Sequence, residues 1–221
     1  MPHVSECAGY LQRGARQRPR VRTEPRSSAA VRDCIFVTQR CMDRPIPNSY
    51  WVKPGRLLAG EHPYDGSETQ MRERLERLHA AGINYFIDLT EHDEVSDYRI
   101  WLPKHTQYLR SAIADQRVPH GIAQMRNLLM QLRNALALRR RIYVHCLAGI
   151  GRTGLVIGCF LAEDGLDGEA ALAKLNDLWQ QSARAESWPT VPQTEEQADY
   201  IRAWPQHRRG AIRSHASKGP D

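Results

Sequence analysis

The sequence RIYVHCLAGIGRTGLVIGCFLAEDG spans residues 141–165 and determines how the rest of the chain is interpreted. Residues 142–144 are β-branched or aromatic and too few for a helix, so they predict a short buried strand. The apolar run over residues 155–162 is long enough for a helix, which ends at Gly165. The stretch therefore predicts a strand, a tight loop and a helix, in that order.

Residues 146–152, called the glycine loop below, have the composition of an anion site. Glycines at 149, 151 and 154 relax the steric limits on φ, so the N–H groups of the loop can turn inward. The first turn of the following helix adds unpaired N–H groups and the positive end of the helix dipole. Arg152 offers a planar fork for two phosphoryl oxygens. We therefore predict that a tetrahedral dianion is bound by Leu147, Ala148, Gly149, Ile150, Gly151 and Arg152.

Cys146 lies at the mouth of this predicted site, where the positive field favours a thiolate over a thiol. A thiolate beneath a bound phosphoryl group is placed for in-line attack. Thr153 can donate its hydroxyl to the sulfur and help the sulfur to leave in a second step. The arrangement indicates a phosphatase. The alternatives are a buried inert cysteine, or a loop that binds phosphate without chemistry.

The motif HCLAGIGRTG resembles the signature loop of the cysteine-dependent protein tyrosine and dual-specificity phosphatases. It matches at two internal glycines and at His145, Cys146, Arg152, Thr153 and Gly154. The resemblance implies that His145 orients Cys146 through the backbone, and that neither a metal nor a cofactor is needed. The expected fold is a single α/β domain with a short, mainly parallel central sheet flanked by helices, and with a phosphatase-type P-loop between strand and helix.

A candidate general acid follows from the same resemblance. Phosphatases of this family carry an aspartate on a mobile loop after a strand; residues 108–113 predict such a strand, and Asp115 follows it. An aspartic acid there can protonate the leaving oxygen and later accept a proton from water. The alternative is a turn aspartate that caps the next helix. The sequence Ile113-Ala114-Asp115 is similar to the small dual-specificity type, whereas strictly tyrosine-specific relatives have Trp-Pro-Asp.

The segment QTEEQ, residues 193–197, resembles the Gln-Thr-x-x-Gln motif that closes the domain in this family. Matched residue by residue, Gln193 takes the role of positioning the hydrolytic water. The alternative is the polar first turn of a helix, with Thr194 as its cap.

Periodicity and turn signals outline the remaining elements. Ser67 is expected to cap a helix, with Gln70 as its capping-box partner. Strands are expected over residues 56–59 and 83–89, and helices over residues 67–82, 121–139, 168–179 and 193–204.

The segment TEHDEVSD, residues 90–97, is predicted to be an acidic loop. Asp93, Glu94 and Asp97 are crowded together in polar sequence, which is typical of a solvated face. The resemblance places this loop beside the active-site cleft, where it would instead favour basic substrates.

The net charge of +6 is unevenly distributed along the 221 residues. Seven Arg and two Glu give residues 1–32 a charge of +5, four basic residues and one Asp give residues 205–221 a charge of +3, and the remaining 172 residues carry −2. We therefore predict a disordered Arg-rich extension over residues 1–44, a catalytic domain over residues 45–204 and a basic tail over residues 205–221.

The role of the Arg-rich extension stays open. It suits contact with nucleic acid or an acidic surface, or an organelle address. It would equally be an unstructured extension, or the product of an upstream start codon with translation beginning near Met42.

The cysteines and the apolar runs predict a cytoplasmic protein. Five cysteines at 7, 34, 41, 146 and 159 form neither an even set nor a Cys-x2-Cys pair, and a reducing compartment would keep Cys146 reactive. Cys159 is expected to be a core residue, and oxidative pairing of Cys34 or Cys41 with Cys146 is left open. No apolar run approaches the ~20 residues that span a bilayer, and the first residues lack the apolar segment of a secretion signal.

These observations predict a phosphomonoester hydrolase that acts on phosphotyrosine in proteins through a phosphocysteine intermediate, with phosphoserine and phosphothreonine left open. The alternatives are non-protein substrates, namely inositol phosphates, lipids or RNA 5′ phosphates, or a non-catalytic phosphate-binding module. Leu147 and Ile150 argue mildly against inositides, because lipid-directed relatives often carry lysines there.

Overall fold

The computed structural model describes residues 43–216, with side chains through residue 207. The Arg-rich extension predicted over residues 1–44 lies outside the described residues, apart from its last two. Cys7, Cys34 and Cys41 lie outside them as well. Over residues 43–216, no helix combines the length and the apolar character needed to cross a membrane.

The described part of the chain forms five strands and five α-helices. In chain order they are β1 (Ser49–Lys53), β2 (Leu57–Gly60), α1 (Glu68–Ala80), β3 (Tyr85–Asp88), β4 (Gln107–Arg110), α2 (Ile122–Ala137), β5 (Ile142–His145), α3 (Gly151–Glu163), α4 (Gly168–Trp179) and α5 (Glu195–Ala216). Two 3₁₀ turns, Arg99–Trp101 and Ala183–Glu186, lie in the connections. The predicted cap of α1 is present, because the Ser67 hydroxyl accepts a hydrogen bond from the Gln70 N–H at 3.2 Å.

Three elements differ from the sequence prediction. The edge strand β1 was not predicted, and its pairing with β2 is interrupted by a register shift between Trp51 and Lys53. Helix α3 begins at Gly151, ahead of the apolar run, so Arg152 and Thr153 belong to its first turn. Helix α5 continues through Pro205 to Ala216, into the residues that the sequence assigned to the basic tail.

The sheet has the strand order β1-β2-β5-β3-β4 and is mainly parallel, as predicted. Only the edge pair of β1 and β2 is antiparallel within the described residues. Side chains alternate between the two faces of the strands, as the period of two requires. Ile142 and Val144 of β5 pack on the face covered by α2, α3, α4 and α5, whereas Tyr143 packs on the face covered by α1.

The carboxyl ends of the four parallel strands meet at one edge of the sheet. Gly60 of β2 and Asp88 of β3 both pair with His145 of β5, and Asp88 also pairs with Arg110 of β4. Ligand sites in open parallel sheets lie beyond this edge, so a site is expected among the loops that follow these strands.

Candidate active site

The glycine loop connects β5 to α3 at the carboxyl edge of the sheet. Cys146 is the first residue after β5, is 3% exposed and is a free thiol. The predicted order of strand, tight loop and helix is therefore confirmed, with β5 as the central strand.

The backbone of the glycine loop is shaped by close contact with the end of β2. Gly149 has a φ of +76°, and a Cβ at this position would lie 2.5 Å from the carbonyl carbon of Gly60. Glycine is therefore required here both for its conformation and for its size. The carbonyl oxygens of Leu147 and Ala148 accept hydrogen bonds from His62 N and from Arg184 Nη1, at 3.0 and 3.2 Å.

The N–H groups of the glycine loop differ from its carbonyl groups, because they have no hydrogen-bond partner within residues 43–216. Among the described residues, no protein acceptor is found for the N–H groups of residues 147–152. Because α3 begins at Gly151, the N–H groups of its first turn belong to this set. Unpaired N–H groups on a curled loop at a helix N-terminus are the donors of an oxyanion site.

The Arg152 guanidinium is 1% exposed and almost fully hydrogen-bonded. Its Nη1 and Nη2 donate to the two carboxylate oxygens of Glu94 at 2.6 and 2.5 Å. Nη1 also donates to the Ile113 carbonyl at 3.2 Å, and Nη2 lies 3.1 Å from Asp115 Oδ1. Burial disfavours the charged guanidinium, but the Glu94 hydrogen bonds and the charges of Cys146 and Asp115 hold the pKa of Arg152 above its ordinary value.

One donor of Arg152 has no partner. Its Nε is buried and makes no hydrogen bond within the described residues. Glu94 accepts from both Nη atoms and Asp115 lies beside Nη2, so Nε is the donor that is left for a second anion.

The prediction that the acidic loop is a solvated face is wrong for Glu94. Its side chain is 17% exposed and bound to Arg152, whereas that of Asp93 is 95% exposed and fits the prediction. Asp97 pairs with Arg99 on the surface. Burial favours the neutral carboxyl of Glu94, but the hydrogen bonds from Arg152 hold its pKa below the ordinary value. Nothing in the sequence distinguishes Glu94 from its acidic neighbours.

Asp115 lies in the loop after β4, as predicted, with its carboxylate beside Arg152 and its side chain 55% exposed. The next residue, Gln116, has a φ of +58°. The loop is bound to the start of α5, because Gln197 Nε2 donates to the Arg117 carbonyl at 3.1 Å. Gln197 is fully buried and was not singled out in the sequence.

His145 lies beneath the glycine loop and is fully buried. Its Nδ1 is 3.3 Å from the Cys146 carbonyl, which can only accept, so Nδ1 carries the hydrogen and Nε2 accepts from the Tyr98 hydroxyl at 2.6 Å. Burial lowers the pKa of His145, so its imidazole is neutral at physiological pH. The imidazole therefore contacts the backbone of Cys146, and its orienting role stays a prediction.

The buried Asp88 carboxylate at the end of β3 is the centre of a hydrogen-bond network next to His145. The Asp88 carboxylate accepts hydrogen bonds from Thr90, Tyr108 and Arg110, and lies 3.9 Å from His145 Nδ1. The sequence carried a signal for this network, since Asp88 is an acidic residue at the end of an apolar strand.

Thr153 and Gln193 are both at the glycine loop. The Thr153 hydroxyl is buried and donates to the Gly60 carbonyl at 3.3 Å, rather than to the Cys146 sulfur. Gln193 Oε1 would lie 3.0 Å from a Cβ on Gly151, so its side chain packs against the first turn of α3. Thr194 does cap α5, because its hydroxyl accepts from the N–H of Gln197 at 3.3 Å. The two interpretations of this segment are therefore compatible.

The other cysteine of the described residues lies in the core. Cys159 is fully buried within α3, as expected of a core residue, and burial raises the pKa of its thiol. Among residues 43–207, no group of three or more His, Cys, Asp or Glu side chains is arranged to hold a metal ion.

Comparison with solved structures supports the fold. Tk-PTP in its active form aligns with a TM-score of 0.58 and 20% identity, covering 72% of this chain and 97% of that chain. Kinase associated phosphatase, with its catalytic cysteine changed to serine, aligns with a TM-score of 0.54 and 23% identity, covering 68% and 85%. PTPMT1 in complex with PI(5)P aligns with a TM-score of 0.57 and 17% identity, covering 74% and 98%.

Comparison with curated proteins and family models extends this result to the sequence. Protein 197R of Invertebrate iridescent virus 6, named as a candidate tyrosine phosphatase, is 26% identical over 150 residues, which are 66% of this chain and 52% of the viral protein. Protein 067L of Invertebrate iridescent virus 3, named likewise, is 36% identical over 95 residues, which are 41% of this chain and 38% of that protein. The model described as a Swiss Army Knife protein with a DSP-PTPase phosphatase domain matches residues 46–218. The chain therefore belongs to this PTP-SAK family of phosphatase domains.

Proposed function

We propose that this chain hydrolyses phosphomonoesters of proteins, with phosphotyrosine as a substrate, through a phosphocysteine intermediate. The observation that carries the proposal is the convergence of Cys146, Arg152 and Asp115 on a loop whose N–H groups lack protein acceptors within residues 43–216. Membership of the phosphatase-domain family supports the same reaction class.

In the first step, the Cys146 thiolate attacks phosphorus in line with the leaving oxygen. The S–P bond forms as the P–O bond to the substrate breaks, and Asp115 in its acid form gives its proton to the departing oxygen. The N–H groups of residues 147–152 and the free Nε of Arg152 bind the equatorial oxygens, where negative charge is held in the transition state.

In the second step, water attacks the phosphocysteine. The Asp115 carboxylate accepts a proton from this water, the S–P bond breaks, and inorganic phosphate leaves the Cys146 thiolate behind. Gln193, which packs against the start of α3, would orient the water. Thr153 would donate its hydroxyl to the departing sulfur after turning away from the Gly60 carbonyl.

Glu94 acts in both steps by orienting Arg152. Two hydrogen bonds from the guanidinium to one carboxylate fix the plane of the guanidinium, so Nε is directed before the substrate arrives. The match of Ile113-Ala114-Asp115 to the small dual-specificity type favours phosphoserine and phosphothreonine as further substrates. We assign the activity to residues 45–204 and infer a reducing compartment such as the cytoplasm, because the Cys146 thiolate must escape oxidation.

The test is turnover of p-nitrophenyl phosphate and of phosphotyrosine and phosphoserine peptides by the purified chain. The wild type should be active and inhibited by orthovanadate. Cys146→Ser should lose turnover by about 10⁴-fold or more and still bind phosphate. Cys159→Ala, at a buried cysteine away from the loop, is the matched control and should retain activity. Turnover by Cys146→Ser equal to that of the wild type would contradict the mechanism.

A further inference from the structure

Two peptide groups of the glycine loop are held from outside the loop. In a trans peptide, the carbonyl of one residue and the N–H of the next point in opposite directions. The Leu147 carbonyl accepts from His62 N, and the Ala148 carbonyl accepts from Arg184 Nη1. These contacts therefore direct the N–H groups of Ala148 and Gly149 toward the opposite side, where the phosphoryl group would bind.

The peptide between Ala148 and Gly149 is the more easily rotated of the two. Gly149 has a φ of +76° and no side chain that would resist a change of backbone conformation. Among the described residues, the hydrogen bond from Arg184 is the one external contact found for the polar atoms of this peptide. The orientation of the Gly149 N–H therefore depends on the position of Arg184.

Arg184 is itself held by a buried carboxylate. Its Nη2 donates to Glu61 Oε2 at 2.7 Å, and the Glu61 side chain is only 6% exposed. Glu61 also accepts hydrogen bonds from Asn48 and Arg74, at 2.9 and 2.8 Å. The Glu61 carbonyl accepts from the hydroxyl of Tyr143 in β5 at 2.5 Å. Glu61 thus links Arg184 to β5, the central strand that leads into the glycine loop.

We propose that Arg184 and Glu61 form a positioning pair that keeps the peptide between Ala148 and Gly149 in its anion-binding orientation. This inference rests on the proposed function, because it assigns a role in the same reaction. The Glu61 carboxylate offsets the guanidinium charge, and the Arg184 side chain is 30% exposed, so Arg184 acts mainly through the direction of its hydrogen bonds.

The test compares Arg184→Met, Arg184→Lys and Glu61→Gln with the wild type. Arg184→Met should lower kcat/KM for p-nitrophenyl phosphate and weaken competitive inhibition by inorganic phosphate, each about tenfold, as expected for the loss of one hydrogen bond. Arg184→Lys keeps a donor and should restore part of both. Glu61→Gln should weaken phosphate inhibition several-fold, and combined with Arg184→Met it should add little.

The protection of Cys146 from iodoacetamide by inorganic phosphate separates positioning from general loss of stability. Turning the Gly149 N–H away removes one donor from the proposed phosphate site, so about tenfold more phosphate should be needed to protect Cys146 in Arg184→Met. Arg133→Met is the matched control. Arg133 is a partly exposed arginine paired with Asp164, and its loss should leave phosphate inhibition and phosphate protection unchanged.

Kinetics, phosphate inhibition and phosphate protection within twofold of the wild type in Arg184→Met would overturn the inference. Should Arg184→Met fail to fold, the same measurements on Arg184→Lys and Glu61→Gln decide it. If the wild type shows no turnover and phosphate still protects Cys146 from alkylation, the proposed function fails. Protection that is weakened in Arg184→Met would then still support the positioning pair.

Discussion

Cys146 and Cys159 belong to the same strand-loop-helix unit and are both buried, but the groups that surround their thiols differ. Both are free thiols, 3% and 0% exposed. Cys159 lies in the middle of α3 among apolar side chains, and burial raises the pKa of its thiol. Cys146 follows β5, next to N–H groups for which the described part of the chain offers no acceptor, and near the Arg152 guanidinium. We infer that the donors around a thiol, and not its depth, distinguish the proposed nucleophile from the core residue.

The largest expected effect is the difference in alkylation between the two cysteines. At neutral pH, iodoacetamide should modify Cys146 on the order of a thousand times faster than Cys159, because Cys159 reacts only when α3 opens locally. Peptide mapping by mass spectrometry measures both rates in one sample. Inorganic phosphate should protect Cys146 alone, and equal rates for the two thiols would contradict the comparison.

The second-largest expected effect tests whether Asp115 protonates the leaving oxygen, a role that does not involve the reactivity of the Cys146 thiol. Asp115→Asn should slow phenyl phosphate by about 10²–10³-fold, because its leaving oxygen needs a proton, and p-nitrophenyl phosphate much less. Alkylation of Cys146 should be retained. Asp93→Asn is the control, since the Asp93 side chain is 95% exposed on the acidic loop and pairs only with the exposed His92 within the described residues. An equal loss for both substrates would remove Asp115 from the acid role.

The third effect concerns the orientation of Arg152. Glu94→Gln should lower kcat/KM about tenfold, because an amide replaces one of the two carboxylate acceptors with a donor and leaves the guanidinium less well oriented. Asp97→Asn, which alters a surface ion pair on the same loop, should have little effect. Tighter phosphate binding by Glu94→Gln would show instead that Glu94 competes with the substrate for Arg152.

The sequence predicted the parts of the site that are local in the chain. Residues 142–154 carry their own strand, glycine and helix signals, and Asp115 lies five residues after the end of β4, which reaches the same edge of the sheet. Glu94 could not be chosen from TEHDEVSD, because only the path of the chain over the glycine loop brings it to Arg152. Arg184 and Glu61 are 123 residues apart, and neither segment carries a pattern that links them.

Strand β1 and the start of α3 were missed because their local sequences lack the usual pattern of a strand or a helix. Strand β1 is a short edge strand with a register shift, so its alternation is broken where a pattern would be sought. The start of α3 is hidden because its first turn contains Gly151 and Gly154, which are poor helix formers. At Gly151 and Gly154 the backbone conformation of the proposed anion site outweighs local helix propensity, so the sequence places the start of α3 too late.

The smallest expected effect is the loss of the Cys159 sulfur. Cys159→Ala should lower the free energy of unfolding by about 1 kcal/mol, because a buried side chain is shortened inside a packed helix whose propensity alanine preserves. A chain of this size should then melt about 2–4 °C earlier, which calorimetry can measure. The kcat/KM should stay within twofold of the wild type, since Cys159 lies away from the glycine loop. A tenfold loss of activity in the folded variant would mean that the core of α3 controls the geometry of Arg152, and the contrast between the two cysteines would no longer hold.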